Sequence, residues 1–112
     1  MMDCKEKRRK AYKEGSLPYS FQYKIRKYFI GRECPICKCK MGVYIKDDND
    51  PIMVKNPMPT IQHNVPINKG GKHEIGNISV ICQRCNTSIQ DEITGNLNND
   101  EVRKVWEMLN GR

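Results

Sequence analysis

The chain has no run of eighteen or more apolar residues, so no transmembrane helix and no membrane partner are expected. Its opening residues, MMDCKEKRRK, lack the apolar core of a secretory signal. The expectation is an intracellular protein, cytoplasmic or nuclear and not secreted. Hydrophobic residues supply only 38% of its 112 positions, below the usual globular share. One domain of this size has a thin stability margin from its core alone, so support from a metal or a partner is expected. Internal repeats and low-complexity tracts are also missing. Acidic residues are scarce in the first part of the chain. Residues 1–46 hold 13 Lys/Arg against 4 Asp/Glu, a net of +9, and residues 47–112 hold 7 against 9, a net of −2; together they give the formal +7. A basic segment with interleaved Tyr and Phe suits a polyanion, nucleic acid above all, although a merely solvated face has the same composition.

What the chain has is cysteine, six residues of it. Without secretion, a disulfide framework is not expected and metal or redox use is. Cys34-Pro-Ile-Cys37 and Cys82-Gln-Arg-Cys85 form two CxxC pairs. A CxxC turn places two thiolates on one side of an ion, and two such turns complete the tetrahedral shell that zinc prefers. No position would remain for water, so such a site is structural rather than catalytic. Cys39 is a competing ligand two residues beyond Cys37, and CxxC geometry favours Cys37. Cys4 reads as a spare thiol. A thioredoxin-like redox pair is the other reading of CxxC; the presence of two pairs and the lack of a βαβ pattern speak against it.

Along the chain, three parts emerge. Residues 1–32 form a basic helical extension: a Lys/Arg-rich stretch over 3–14, a break at Gly15, Ser16 and Pro18, then YSFQYKIRKYFI over 19–30. There Phe21, Ile25, Tyr28 and Phe29 recur at spacings of three and four, with Lys24, Arg26 and Lys27 opposite, and Gly31 is the expected stop. Residues 33–97 form the middle part, with short strand-like runs at 43–45, 52–54, 60–62 and 78–81. Turn clusters follow at DDNDP (47–51) and NKGGKHEIGN (68–77), and a helix is expected from near Cys82 to about Asp91, with Gly95 beyond it. Residues 98–112 form an amphipathic helix opened by Asn and Asp caps, with Val102, Val105, Trp106 and Leu109 as its apolar stripe.

Between the cysteine pairs lies TIQHNVPINKGGKHEIGNISVICQRCNTS. It reads as a strand reaching His63, a glycine-rich loop, a strand starting beside Asn77, and a helix carrying Asn86. A phosphodiester-cleaving site needs a base for water, a cation on the phosphate and fixed geometry. His63 suits the base, and the amide oxygens of Asn86 and Gln62 suit a hard divalent ion. His73, in the loop, is a second candidate base whose position reads more simply as exposed. Lys69, Lys72 and Arg84 are candidate phosphate contacts.

These features, in their order Gln62-His63, Pro66, Gly70-Gly71, Asn77-Ile78 and Cys82-Gln-Arg-Cys85-Asn86, resemble the HNH family of ββα-metal nucleases, in size and style the small HNH proteins of phages and large DNA viruses. The resemblance covers about residues 33–92. It implies an α+β fold: a small zinc-stapled ββα-metal core flanked by N-terminal and C-terminal helices. It implies a divalent-metal-dependent DNA endonuclease in which His63 is the general base, Asn77 braces the loop and Asn86 binds a catalytic Mg or Mn ion. Cys34, Cys37, Cys82 and Cys85 would hold the structural zinc. Family members often have a carboxylate before the histidine as the other ligand of that ion. Gln62 stands there, and a neutral amide binds a hard cation more weakly. A DNA-binding zinc module with weak or no cleavage is the alternative reading. DNA is the implied partner, and a homodimer would match a palindromic site.

Overall fold

The segment YSFQYKIRKY becomes a helix whose apolar residues fall on one face. The computed structural model of the chain describes residues 17–47, 50–90 and 92–109; the stretch read as helical over 3–14, and Cys4, lie outside them. Helix α1 spans Tyr19–Tyr28, with Arg26 and Lys27 in its last turn, where the helix dipole favours cations. At its start the Pro18 carbonyl accepts from the Phe21 and Gln22 N–H groups. Phe21, Ile25 and the following Phe29 are buried, while Lys24, Arg26 and Lys27 are exposed. The helix ends before the apolar pattern does. Phe29 and Ile30 lie in a turn that Gly31 closes at φ +87°.

Two antiparallel hairpins follow. Strand β1 (Tyr44–Asp47) pairs with β2 (Asp50–Lys55), with a register shift between Ile45 and Asp47. The DDNDP cluster is therefore not a turn throughout, because Asp47 ends β1 and Asp50 and Pro51 begin β2. Pro51 lies between Asp50 and Val54, where the pairing with β1 shifts register in a sheet of two strands, and edges and irregular pairings are where a strand tolerates proline. Strand β3 (Pro59–His63) pairs with β4 (Ile78–Cys82) in unbroken register, from Pro59 opposite Cys82 to His63 opposite Ile78. Two single turns of 3-10 helix, Ile67–Lys69 and Ile75–Asn77, lie in the connection.

Helix α2 (Gln83–Ile89) leaves β4 directly, and helix α3 (Asn99–Leu109) ends the described chain. Helix α2 stops short of the expected Asp91, at Gln90, which has a φ of +52°. All five residues of β4 are buried. Helix α1 packs against β3, α3 against β4, and α2 against both. The core is built from Phe21, Ile25 and Phe29 of the first segment, Ile78, Val80 and Ile81 of β4, and Val102 and Val105 of α3. Each such side chain contributes about 1.5–3 kcal/mol by leaving water. Trp106 meets Phe21 edge to face at 4.9 Å, so the two flanking helices share one core with the hairpin.

Two expectations for the last helix are corrected. Leu109 is 47% exposed, at the edge of a shallow pocket that it lines with Pro18, Phe21 and Trp106. The asparagines before and at its start are braces more than caps. The Asn98 amide accepts from the Val80 N–H and donates to the Val80 carbonyl. Asn99 donates to the Ile75 and Ile78 carbonyls. They supply β4 with the backbone partners that a third strand would otherwise give.

Candidate metal centre and active site

The first cysteine pair sits in a tight knuckle. The Cys34 N–H donates to the Cys39 carbonyl at 2.8 Å and the Lys38 N–H to the Cys34 carbonyl at 2.9 Å, with Lys38 at φ +66°. The second pair straddles the junction of strand and helix. Cys82 is the last residue of β4 and the N-cap of α2, its sulfur accepting from the Cys85 N–H. The sulfurs of Cys34, Cys37, Cys82 and Cys85 all lie within 4.8 Å of one another, and those of Cys37 and Cys82 are 3.7 Å apart. Tetrahedral ligands at a zinc–sulfur bond length are separated by about 3.8 Å, so the four sulfurs fit one ion of that kind.

The local electrostatics separate Cys37 from Cys39. The backbone N–H of Cys39 is the main cause that lowers the Cys37 thiol to about 6. Burial pushes the Cys39 thiol up to about 12, and Cys37 beside it adds to the rise. Cys37 is thus readily a thiolate and Cys39 is held as a thiol. Burial, and after it the sulfurs of Cys82 and Cys37, also push the Cys85 thiol up. Closely packed thiols resist a second ionisation, and a cation among them reverses that order. Arg84 donates to the Cys37 sulfur at 3.8 Å, so the structure places it beside the cysteine cluster.

At the other end of the hairpin, Asn77 ties the connecting loop. Its side-chain oxygen accepts from the Val65 N–H, and its nitrogen donates to the carbonyls of Val65 and Lys72. Asn64, which sequence reasoning did not single out, is buried beside it and accepts from the Ser79 hydroxyl at 2.6 Å. The loop leaves no room for a side chain at Gly71, where a Cβ would stand 1.7 Å from the Val65 carbonyl oxygen. Gly70 faces open space but has φ +91°. Gly71→Ala should therefore cost about 3 kcal/mol, the upper end for overpacking. Gly70→Ala should cost about 1–2 kcal/mol from its backbone alone. Urea denaturation of the two variants checks the order, and equal costs would contradict this account of the loop. Lys69 and Lys72 are exposed on the same loop.

His63 ends β3, and its Nε2 lies 2.9 Å from Nδ1 of His73. The other ring nitrogen of His73 lies 3.1 Å from the side-chain nitrogen of Gln22 on α1. His73 is only 2% exposed, which corrects the reading of it as a surface residue, and burial pushes its pKa down. Neither spacing nor periodicity marked it, because its burial depends on a helix 51 residues away in sequence.

Asn86 approaches β3 from α2. Its amide nitrogen donates to the Thr60 hydroxyl and the Ile61 carbonyl, three and two residues before His63. Gln62 is buried, and its amide nitrogen donates to the His63 carbonyl at 3.2 Å. Asn86 thus meets β3 within three residues of His63, while the His63 ring lies against His73. Both amides are held by their nitrogen ends, and an amide oxygen is a hard donor of the kind that Mg and Mn take.

Among the described residues no helix is long and apolar enough to cross a membrane. No curated protein and no solved structure matches the chain. A family model does: the one described as HNH endonuclease matches residues 34–92. The match begins at the first ligand of the cysteine cluster, takes in both hairpins and ends just past α2. It covers more than half of the sequence, and the chain belongs to the HNH endonuclease family.

Proposed function

We propose that the chain hydrolyses phosphodiester bonds of DNA in a reaction that depends on Mg or Mn, on a scaffold held by zinc in the four-cysteine site. The observation that carries this reading is the family match over 34–92, a span that contains His63, Asn77 and Asn86 together with all four cysteines. His63 takes a proton from the attacking water as general base. Asn77 acts through the loop it ties, holding the strand ends on either side of it. The amide oxygens of Asn86 and Gln62 would hold the divalent ion, which supplies positive charge to the phosphate and the leaving oxygen when bound. The exposed Lys24, Arg26 and Lys27 on α1 and Lys69 and Lys72 on the loop supply positive charge to draw in a polyanion.

Supercoiled plasmid incubated with the full-length protein, with and without added Mg or Mn, tests the reading. Nicking that requires the added ion is the expected result. Omitting the ion is the proper control, because a chelator also attacks a cysteine-bound zinc. A plasmid that stays intact with either ion, yet is retarded on a gel in a salt-dependent way, would favour the second reading. That reading is a DNA-binding zinc module with little cleavage, and Gln62, a neutral donor at a carboxylate position, is its motive. Gln62→Asp separates the two, because a gain of nicking in that variant over an inert parent identifies a weakened ion site.

A further inference from the structure

Helix α1 has two kinds of surface. Phe21 and Ile25 are buried against the core, while Tyr19 is 81% exposed and Tyr23 is 55% exposed. At about 100° per residue, Tyr19, Tyr23, Arg26 and Lys27 fall in one arc of the helix, on the side away from Phe21 and Ile25. Arg26 and Lys27 are exposed too, and the helix YSFQYKIRKY holds no Asp or Glu. The Lys27 ammonium stands 5.2 Å from the centre of the Tyr23 ring. Gln22 borders the same arc and reaches His73 at 3.1 Å, and His73 meets His63 at 2.9 Å. The arc therefore runs alongside the candidate active site. We infer that this face of α1 is a stacking platform for unpaired nucleotides, so that the DNA substrate carries a single-stranded stretch beside the bond to be cut.

The chemistry of the face selects this occupant. An unpaired nucleotide offers a flat, apolar base and a phosphate close to it. Tyr19 and Tyr23 each offer an exposed ring, and Arg26 and Lys27 set cations beside those rings. A base laid on Tyr23 keeps the Lys27 ammonium at hand for its phosphate. Stacking of this kind is tolerant of sequence, because every base has a π face. The two tyrosines are four residues apart, about 6 Å along the axis, so one strand can lay neighbouring bases on both. A blunt duplex shows only base edges and phosphates, and its flat faces are closed to the rings. A protein partner fits the face less well. Protein interfaces are depleted in Lys, and the large exposed apolar side chains of α1 are its two tyrosines, with no aliphatic one among them. The placing of this strand beside the cut rests on the reading of His63 as the base of the proposed reaction; the platform itself does not.

Fluorescence anisotropy on the zinc-loaded, full-length protein, without added Mg or Mn, reads binding apart from cleavage. The probes are a blunt duplex and the same duplex with a single-stranded tail. Wild type should bind the tailed probe about tenfold more tightly or better, the effect of one base–aromatic stack. Tyr19→Ala and Tyr23→Ala should each weaken binding of the tailed probe by about five- to a hundredfold and leave the blunt probe within about twofold. Tyr19→Phe and Tyr23→Phe keep the ring and should bind as wild type does. Both positions are exposed, so all four variants should melt near the wild-type temperature. Equal binding of the two probes by wild type would overturn the platform. So would alanine variants that lose nothing, or lose the same on both probes, or phenylalanine variants that lose as much as alanine. If plasmid stays intact while tail binding follows the tyrosines, the nuclease reading fails alone. If plasmid is nicked and the tail brings no gain, the platform fails alone.

Discussion

Cys82→Ser is expected to unfold the centre of the molecule under conditions in which the wild-type protein is folded. Cys82 takes part in three structures. It ends β4 opposite Pro59, it caps α2 by accepting from the Cys85 N–H, and its own N–H donates to the Cys34 sulfur. Its sulfur is also one of the four in the cluster. A four-cysteine zinc supplies about 10–16 kcal/mol of binding energy at neutral pH, comparable with the whole stability of a domain, about 5–15 kcal/mol. Serine keeps the size and the cap but is a poor zinc ligand, so most of that energy should be lost. Far-ultraviolet circular dichroism on heating, together with zinc content by mass spectrometry, is the measurement. Cys39→Ser is the control. It removes a thiol that lies outside the cluster and should retain the metal. A zinc-free protein that melts at the wild-type temperature would refute the structural role of the ion.

The second large effect is on rate. His63→Ala should lower plasmid nicking by about 10²–10⁴-fold, the usual contribution of a general base, with melting temperature and zinc content close to wild type. Stability should be spared because His63 is the last residue of β3 and only half-buried, with the core made elsewhere. Gln62→Asp should act in the opposite direction by strengthening the ion site. Nicking by His63→Ala at the wild-type rate would remove His63 from the chemistry, whatever the family match implies.

The legible parts of this molecule are those set by short-range patterns. Two CxxC pairs can be found by counting, and the structure brings their four sulfurs together. The three-and-four spacing of Phe21, Ile25 and Phe29 identifies α1, and the order of His63, Asn77 and Asn86 identifies the family. What could not be read depends on distant parts of the chain. His73 is buried because α1 covers the loop. Asn98 and Asn99, which read as helix caps, instead pair with β4 because that strand has one side open to them. Leu109 continues an apolar spacing but stands half exposed at the rim of the core. Pro51 reads as a turn residue, yet it lies in a strand, where the pairing shifts register in a sheet of two strands. In each case, local preference is overruled by what happens to lie alongside.

The unbroken pairing of β3 with β4 gives the molecule a ruler. Pro59 is fixed beside Cys82 at the cysteine cluster, and His63 stands four residues further on, about 13 Å away at the rise of a strand. Spacing along β3 is thus under tighter constraint than residue identity. One residue inserted there would lengthen the interval by about 3.3 Å and also turn His63 to the other face of the strand, out of reach of His73. Variation in length should accumulate instead between β1 and β2, in the hairpin whose register is already broken.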